Sequence, residues 1–378
     1  MAAFYFSDMK QFTLSSILLF LLISGCKESV PSGPNPDDFD RNAVLENWAD
    51  NIIIPSLENF AGFTEVLKTT GNNFTENPNS SNLESLRTAW KDSYLAWQHV
   101  SMFETPKTME VQYRNNINTY PADTSGITQN INQVDYNLKL PSEIDQQGFP
   151  ALDYMLYGLG ETDSGILSYY TSNQNADAYK KYLSDLVTRI DTLTDEVLEH
   201  WTSGYRNEFV NNSGNGANSS IDMMVNDYIF YYEKNLRAGK IGIPAGVFSG
   251  TPLPQNVEGF YSKEFSKELF LESLTATQNF FNGKYFDSET TGISLSDYLN
   301  FLNTIKSGTD LTQLINQQFE ASHSRAQNLS SSLFEQIETD NSIMLKTYDE
   351  LQKNVILLKV DMLQALNINV DFVDADGD

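Results

Sequence analysis

Leu83-Glu84-Ser85-Leu86-Arg87-Thr88-Ala89-Trp90-Lys91-Asp92-Ser93-Tyr94-Leu95-Ala96-Trp97 is the stretch on which the reading of the fold turns. Leu83, Leu86, Trp90, Tyr94 and Trp97 follow one another at steps of three and four. That spacing stacks side chains on one face of an α-helix, whereas a strand would alternate apolar and polar residues. The helix is expected from about Asn82, with its aromatic stripe packed against neighbouring helices rather than stacking on a ligand. The same period recurs outward. Asp40 can cap a helix carrying Val44, Leu45, Trp48 and Ile52, continued by Phe60, Phe63 and Leu67 beyond a kink expected at Pro55. Over 175–203, Tyr179, Leu183, Leu186, Ile190, Leu193, Val197 and Trp201 form another stripe. Helices are also expected over 220–238, 262–282, 295–304, 309–337 and 341–367, with almost no strand signal and no tandem repeat. The fold class is all-α. The Asn/Ser/Gly tract Asn211–Ser220 reads as a boundary between two helical-bundle domains, 40–210 and 211–378, the second ending in an acidic tail.

One segment lacks the helical period. Residues 105–147 are rich in Asn, Tyr, Pro, Gln and Thr and read as a long irregular segment, a kind of loop that is often functional. Directly after it, Gly148-Phe149-Pro150-Ala151-Leu152-Asp153-Tyr154 opens a short helix with Pro150 in its first turn, stopped by Gly158 and Gly160. Asp153 is three residues after Pro150 and shares its face. Projecting from a first turn, it would be held ionised by the helix N-terminus, with a depressed pKa.

The 378 residues include one cysteine, three histidines, and 24 Lys+Arg against 50 Asp+Glu, a net charge of −26. That balance excludes a nucleic-acid partner, since phosphate binding needs clustered positive charge, and its field attracts cations. A single cysteine excludes disulfides and Cys-based metal sites. Its position is informative. Lys10 precedes the apolar run Phe12–Ile23, and Ile23-Ser24-Gly25-Cys26 resembles a bacterial lipobox. Roughly 12 apolar residues are too few for a permanent span, which needs about 20. Residues 1–26 are therefore expected to be a lipoprotein signal peptide, translated from Met1 or Met9, with Cys26 lipidated. Residues 27–39, with Pro31, Pro34 and Pro36, are expected to form a tether. The leader holds one acid, Asp8, and one base, Lys10, so the mature chain keeps the whole charge. Lys27 rather than Asp follows the cysteine, which favours the outer membrane. His-Glu-x-x-His, phosphate-loop and Gly-x-Ser-x-Gly motifs are missing, and His99, His200 and His323 read as surface or capping residues. The C-terminal run Asp371-Phe372-Val373-Asp374-Ala375-Asp376-Gly377-Asp378 stops short of a calcium loop.

In order along the chain, the lipobox, the Trp90…Trp97 helix, Tyr113-Arg114-Asn115-Asn116-Ile117-Asn118-Thr119-Tyr120-Pro121, Gly148–Tyr154, and Leu236-Arg237-Ala238-Gly239-Lys240-Ile241-Gly242-Ile243-Pro244 resemble the imelysin-like proteins of bacteria. That family was first classed as metallopeptidases and is associated with iron uptake. The resemblance implies two helical bundles with a cleft between them, in the envelope of a Gram-negative bacterium. The family hallmark Gly-x-His-x-x-Glu falls on Gly148, Pro150 and Asp153. Proline has no side-chain ligand, and Asp153, the one candidate metal ligand, reaches one methylene less far than glutamate, so zinc-type activation of water is not expected. Arg114, Tyr120, Asp123 and Lys240 join the candidate binding residues because they can converge on the same cleft. Arg114 would face Asp153, as an ion pair or as part of an anion site. The function implied is that of a lipid-anchored, non-catalytic binding protein in metal (iron) or related nutrient uptake, on the periplasmic or surface face of the outer membrane. Its partners would be the membrane and metal-uptake machinery, and a divalent or ferric ion is the cofactor class left open. The alternatives are a metallopeptidase acting on envelope or extracellular peptides, and a surface scaffold with no small ligand.

Overall fold

The structure, a computed structural model, describes residues 38–372. The signal peptide with Cys26, the tether up to residue 37 and the acidic end from 373 lie outside the described residues. Phe39, the last residue of the segment read as a tether, is stacked on Tyr298 with ring centroids 4.2 Å apart.

Helix α1, Arg41–Asn47, starts where Asp40 accepts a hydrogen bond from the Ala43 amide. It runs through π-helical turns at Trp48–Ile53 into α2, Ile54–Glu76. The chain stays helical through Pro55, in the first turn of α2, and the Asn51 carbonyl that a residue-55 amide would have bonded accepts the Phe286 amide at 2.8 Å. Helix α3, Ser80–Val100, carries the aromatic stripe, and Leu83, Leu86, Trp90, Tyr94 and Trp97 are all buried. Residues 105–147 are not irregular throughout. They fold into α4 (Pro106–Glu110), α5 (Tyr113–Asn118), α6 (Thr124–Gln133) and a 3₁₀ turn at Pro141–Gln146. Five to ten residues give too few turns for a period to register. Thr105 and Asp123 stand at the N-termini of α4 and α6, and left-handed residues at Gln112 and Val134 follow the ends of those two helices. Next come α7 (Gly148–Asp153), α8 (Asp163–Thr171) and α9 (Ala176–His200). Helices α2, α3 and α9 pack as a bundle.

After α10 (Arg206–Asn211) and α11 (Ser220–Phe230), a twelve-residue π-helical segment, Tyr231–Gly242, leads to α12 (Ile243–Ala245) and α13 (Ser266–Phe281). Then follow α14 (Leu295–Phe301), a hairpin of two-residue strands, β1 (Ile305–Lys306) and β2 (Thr309–Asp310), α15 (Leu311–Ala326), α16 (Leu333–Val355) and α17 (Leu363–Leu366). Among the described residues the architecture is all-α, the one small hairpin aside. The helix expected over 309–337 is interrupted at 327–332, where the Lys267 ammonium bonds the carbonyls of Gln327 (2.9 Å) and Leu329 (2.8 Å) and so takes up the end of α15. Leu329 and Leu333 stay buried, which carries the apolar spacing across the gap. A second group of helices forms where α16 packs on α15 and on the π-helical segment. Helix α13 touches both α3 and α15, and Trp48 stacks on Phe280 at 4.7 Å, so the two groups share one apolar core. No helix among the described residues is long and apolar enough to cross a membrane.

Candidate functional site

Helix α7 begins at Gly148 with φ +76°, in the left-handed region. A Cβ there would fall inside the carbonyl oxygens of Ile117 and Asn116, because the end of α5 lies directly against it. This glycine of the hallmark is a close-approach residue. The following turn delivers Asp153 as the last residue of α7, not in a first turn, and leads into π-helical turns over Tyr154–Gly158. Asp153 is 2% exposed. Its two carboxylate oxygens accept the backbone amides of Tyr261 (2.8 Å) and Ser262 (2.9 Å).

The expected depression of its pKa is therefore reversed. Burial pushes the Asp153 carboxyl up to about 7, against the downward pull of the two amides and the Ser262 hydroxyl. The folded protein then holds a proton that the unfolded chain has released, across the window from about pH 4 to pH 7. Stability is present in full below that window and is lost as pH rises through it, by at most ~4 kcal/mol. Urea denaturation across pH 4–8 should show this decline, and the decline should be shallower in Asp153→Asn. Equal slopes in the two proteins would contradict the assignment to Asp153.

Tyr120, Pro150 and Asp153 line one cavity of about 260 Å³, closed on its other side by Gln255, Gly259 and Tyr261. Tyr120 also lines a smaller cavity, about 30 Å³, together with Arg114, Asn118, Asn235 and Lys240. Four of the candidates are thus joined through Tyr120. Its hydroxyl has no hydrogen-bond partner among the described residues, and burial followed by the Glu258 charge pushes its pKa well up, so it stays protonated and able to donate. The Asn235 side-chain amide nitrogen is also buried without a partner. Lys240 pairs with the Glu258 carboxylate and donates to Gln98 Oε1 at 2.9 Å, while Asn118 donates to Glu258 at 2.7 Å.

Three expectations need correction. Arg114 does not face Asp153. Its Nη1 pairs with Glu104 and its Nη2 with Asp227 of α11, each at 3.1 Å, while its Nε donates to the Ser101 carbonyl. Asp123 lines neither cavity; its side chain is spent capping α6 through the Ser125 amide at 3.0 Å. Asp153 as a metal ligand lacks companions. Both its oxygens already hold amides, Pro150 offers no donor, and none of the three histidines lines either cavity. No group of three or more His, Cys, Asp or Glu side chains placed to hold a metal ion occurs among the described residues. The donor set does not fit a resident transition metal at this spot.

The Imelysin family model matches residues 53–357, most of the chain. The chain belongs to the imelysin family. Two solved structures share the fold. An imelysin-like protein from Psychrobacter arcticum 273-4 has a TM-score of 0.67 at 17% identity, covering 88% of this chain and 97% of the other. A protein provisionally designated iron-regulated protein A precursor, from Parabacteroides distasonis ATCC 8503, has a TM-score of 0.69 at 16% identity, with the same coverages. No curated protein matches the chain. In this imelysin-family chain, sequence reasoning missed Glu258, Gln98, Asn235 and the loop that carries Gln255–Ser262. A lone acid beside Val257, Gly259 and Phe260 is the one signal that pointed to a buried carboxylate.

Proposed function

We propose that this imelysin-family chain is a lipid-anchored, non-catalytic binding protein of the cell envelope that serves the uptake of iron or a related nutrient. The observation that carries the reading is the 260 Å³ cavity, which Tyr120 and the buried Asp153 line together. Such convergent polar groups in a concave site are what orient a small ligand. The donor set lacks the companions for a bare ion, so the cargo is iron carried within a small chelate or a nutrient of similar size. The relative from Parabacteroides distasonis bears an iron-related designation, and a net charge of −26 raises the local concentration of cations. Anchored through Cys26 in the outer membrane of a Gram-negative cell, the protein presents its cargo to metal-uptake machinery.

Elemental analysis of the purified chain, followed by calorimetric titration with Fe²⁺, ferric citrate, Zn²⁺ and haem, tests this reading. One chelated iron species, ferric citrate or haem, should bind at a single site, at least ~10-fold more weakly in Tyr120→Phe and Asp153→Asn, a loss of about 1.4 kcal/mol each. Four flat titrations with folded protein would sink it. Cleavage of a peptide library, abolished by chelation and by Asp153→Ala, would favour the peptidase alternative instead.

A further inference from the structure

Arg114 also borders a cavity of about 420 Å³ that is separate from the Asp153 site and contains none of its residues. The volume falls within the roughly 300–1,000 Å³ range of small-molecule pockets. Its walls are apolar and polarisable, formed by Tyr205, Phe209, Met223, Met224, Phe230 and Phe372. Met109, 57% exposed, and Met223, 39% exposed, stand at its mouth. Thioethers and aromatic rings of this kind adapt to irregular apolar ligands and favour cations over their faces. Two rings of the wall already do so: the Arg114 guanidinium lies 5.9 Å from the Phe230 centroid, and the Lys359 ammonium 5.0 Å from that of Phe372.

The polar end of the cavity has a definite sign. Glu104, Asp227 and Asp371 line it, Arg114 is the one cation among the lining residues, and the Lys359 ammonium over Phe372 is paired with Glu233 at 2.8 Å. Arg114 has no nitrogen idle. Its Nε donates to the Ser101 carbonyl at 2.8 Å, and its two terminal nitrogens pair with Glu104 and Asp227 at 3.1 Å. An anionic ligand would have to displace one of those carboxylates and bury it near another. A cationic head would instead meet acceptors in excess. The chain closes the pocket with its own C-terminal segment, since Asn226 donates to the Asn369 carbonyl at 3.0 Å and accepts the Asp371 amide at 3.2 Å. That places Phe372 edge-on to Phe230, with centroids 5.4 Å apart.

From this we infer a second binding site, for a small organic cation with an apolar body, its hydrocarbon or aromatic part among Met223, Met224, Phe209 and Phe372 and its ammonium toward Glu104 and Asp227. It is distinct from the cavity at Asp153 and does not depend on the cargo proposed there. Three probes that share one body and differ in charge test it directly: 4-phenylbutylamine, 4-phenylbutanol and 4-phenylbutyrate, titrated calorimetrically into the full chain at neutral pH and low salt. The amine should bind at least ~10-fold more tightly than the alcohol, the carboxylate should show no binding, and added salt should weaken the amine. Met223→Arg, which places a cation at the mouth, should weaken the amine at least ~10-fold without lowering the melting temperature, as a surface substitution should not. Met109→Arg gives an independent version of that variant if Met223→Arg does not fold. The site is disproved if the carboxylate binds as tightly as the amine, if the folded variant binds the amine undiminished, or if folded protein shows no amine binding at millimolar concentration.

Discussion

Replacing Gly148 with alanine should destabilise the protein by about 3–5 kcal/mol, among the largest effects of any single methyl group in this chain. Two causes add. At φ +76° an L side chain carries strain of roughly 1–3 kcal/mol. The new Cβ would also overlap the carbonyl oxygens of Ile117 and Asn116, backbone atoms that cannot rotate away. Relief requires α5 and α7 to separate, exposing Ile117 and Phe149, both fully buried. The same separation would pull Pro150 and Asp153 away from Tyr120, so ligand binding at that cavity should fall along with stability. Gly214 provides the control. Nothing lies within 4 Å of a Cβ built there, and Gly214→Ala should stay within about 0.5 kcal/mol of the parent. Urea denaturation of the two variants decides the point, and equal midpoints would mean that the close approach at Gly148 is not real.

Lys240→Met should cost about 3–5 kcal/mol, because it strands Glu258 in the interior. The two residues are 3% and 2% exposed, and the remaining partners of Glu258, Asn118 and Gln98, are neutral amides that cannot balance a full charge. Removing both charges together, in Lys240→Met/Glu258→Gln, should recover about 2 kcal/mol or more relative to the sum of the single changes. Strict additivity in thermal denaturation would show that the two groups do not share a desolvated environment. The pair also sets the surroundings of Tyr120, whose phenol is held protonated partly by the Glu258 charge. Loss of that charge should bring the Tyr120 pKa down, which ultraviolet titration of the double variant against Tyr120→Phe would register.

The long helices were legible because each buries a continuous stripe. Leu83 to Trp97 and Tyr179 to Trp201 repeat often enough for the period to exceed noise, and every residue of both stripes is buried. The short helices of 106–133 were not legible. Their apolar residues, Tyr113, Ile117, Ile127 and Ile131, come in pairs, and a pair fits any period. The hallmark spacing pointed to Pro150 and Asp153, and both line one cavity with Tyr120 from the 113–120 segment. Pairing was beyond reach. Arg114 had several carboxylates available, and Glu104 and Asp227 won because the direction of α5 points its side chain toward α11. Asp123 was available to a cleft until its position one residue before α6 made it a cap.

The sequence alone determined the all-α class, the positions of the long helices and the excess of negative charge, since these depend on composition and on neighbours within a few turns. It also carried enough ordered motifs to place the chain in its family. Only the tertiary structure decided the ionisation of Asp153 and the partners of Arg114 and Lys240. Burial and pairing are made by segments 10 to 142 residues apart, from Arg114 with Glu104 to Lys240 with Gln98. Desolvation outweighs any local helix-end effect once water is excluded, so a carboxylate read as ionised from its place in the chain becomes one that holds its proton to about pH 7.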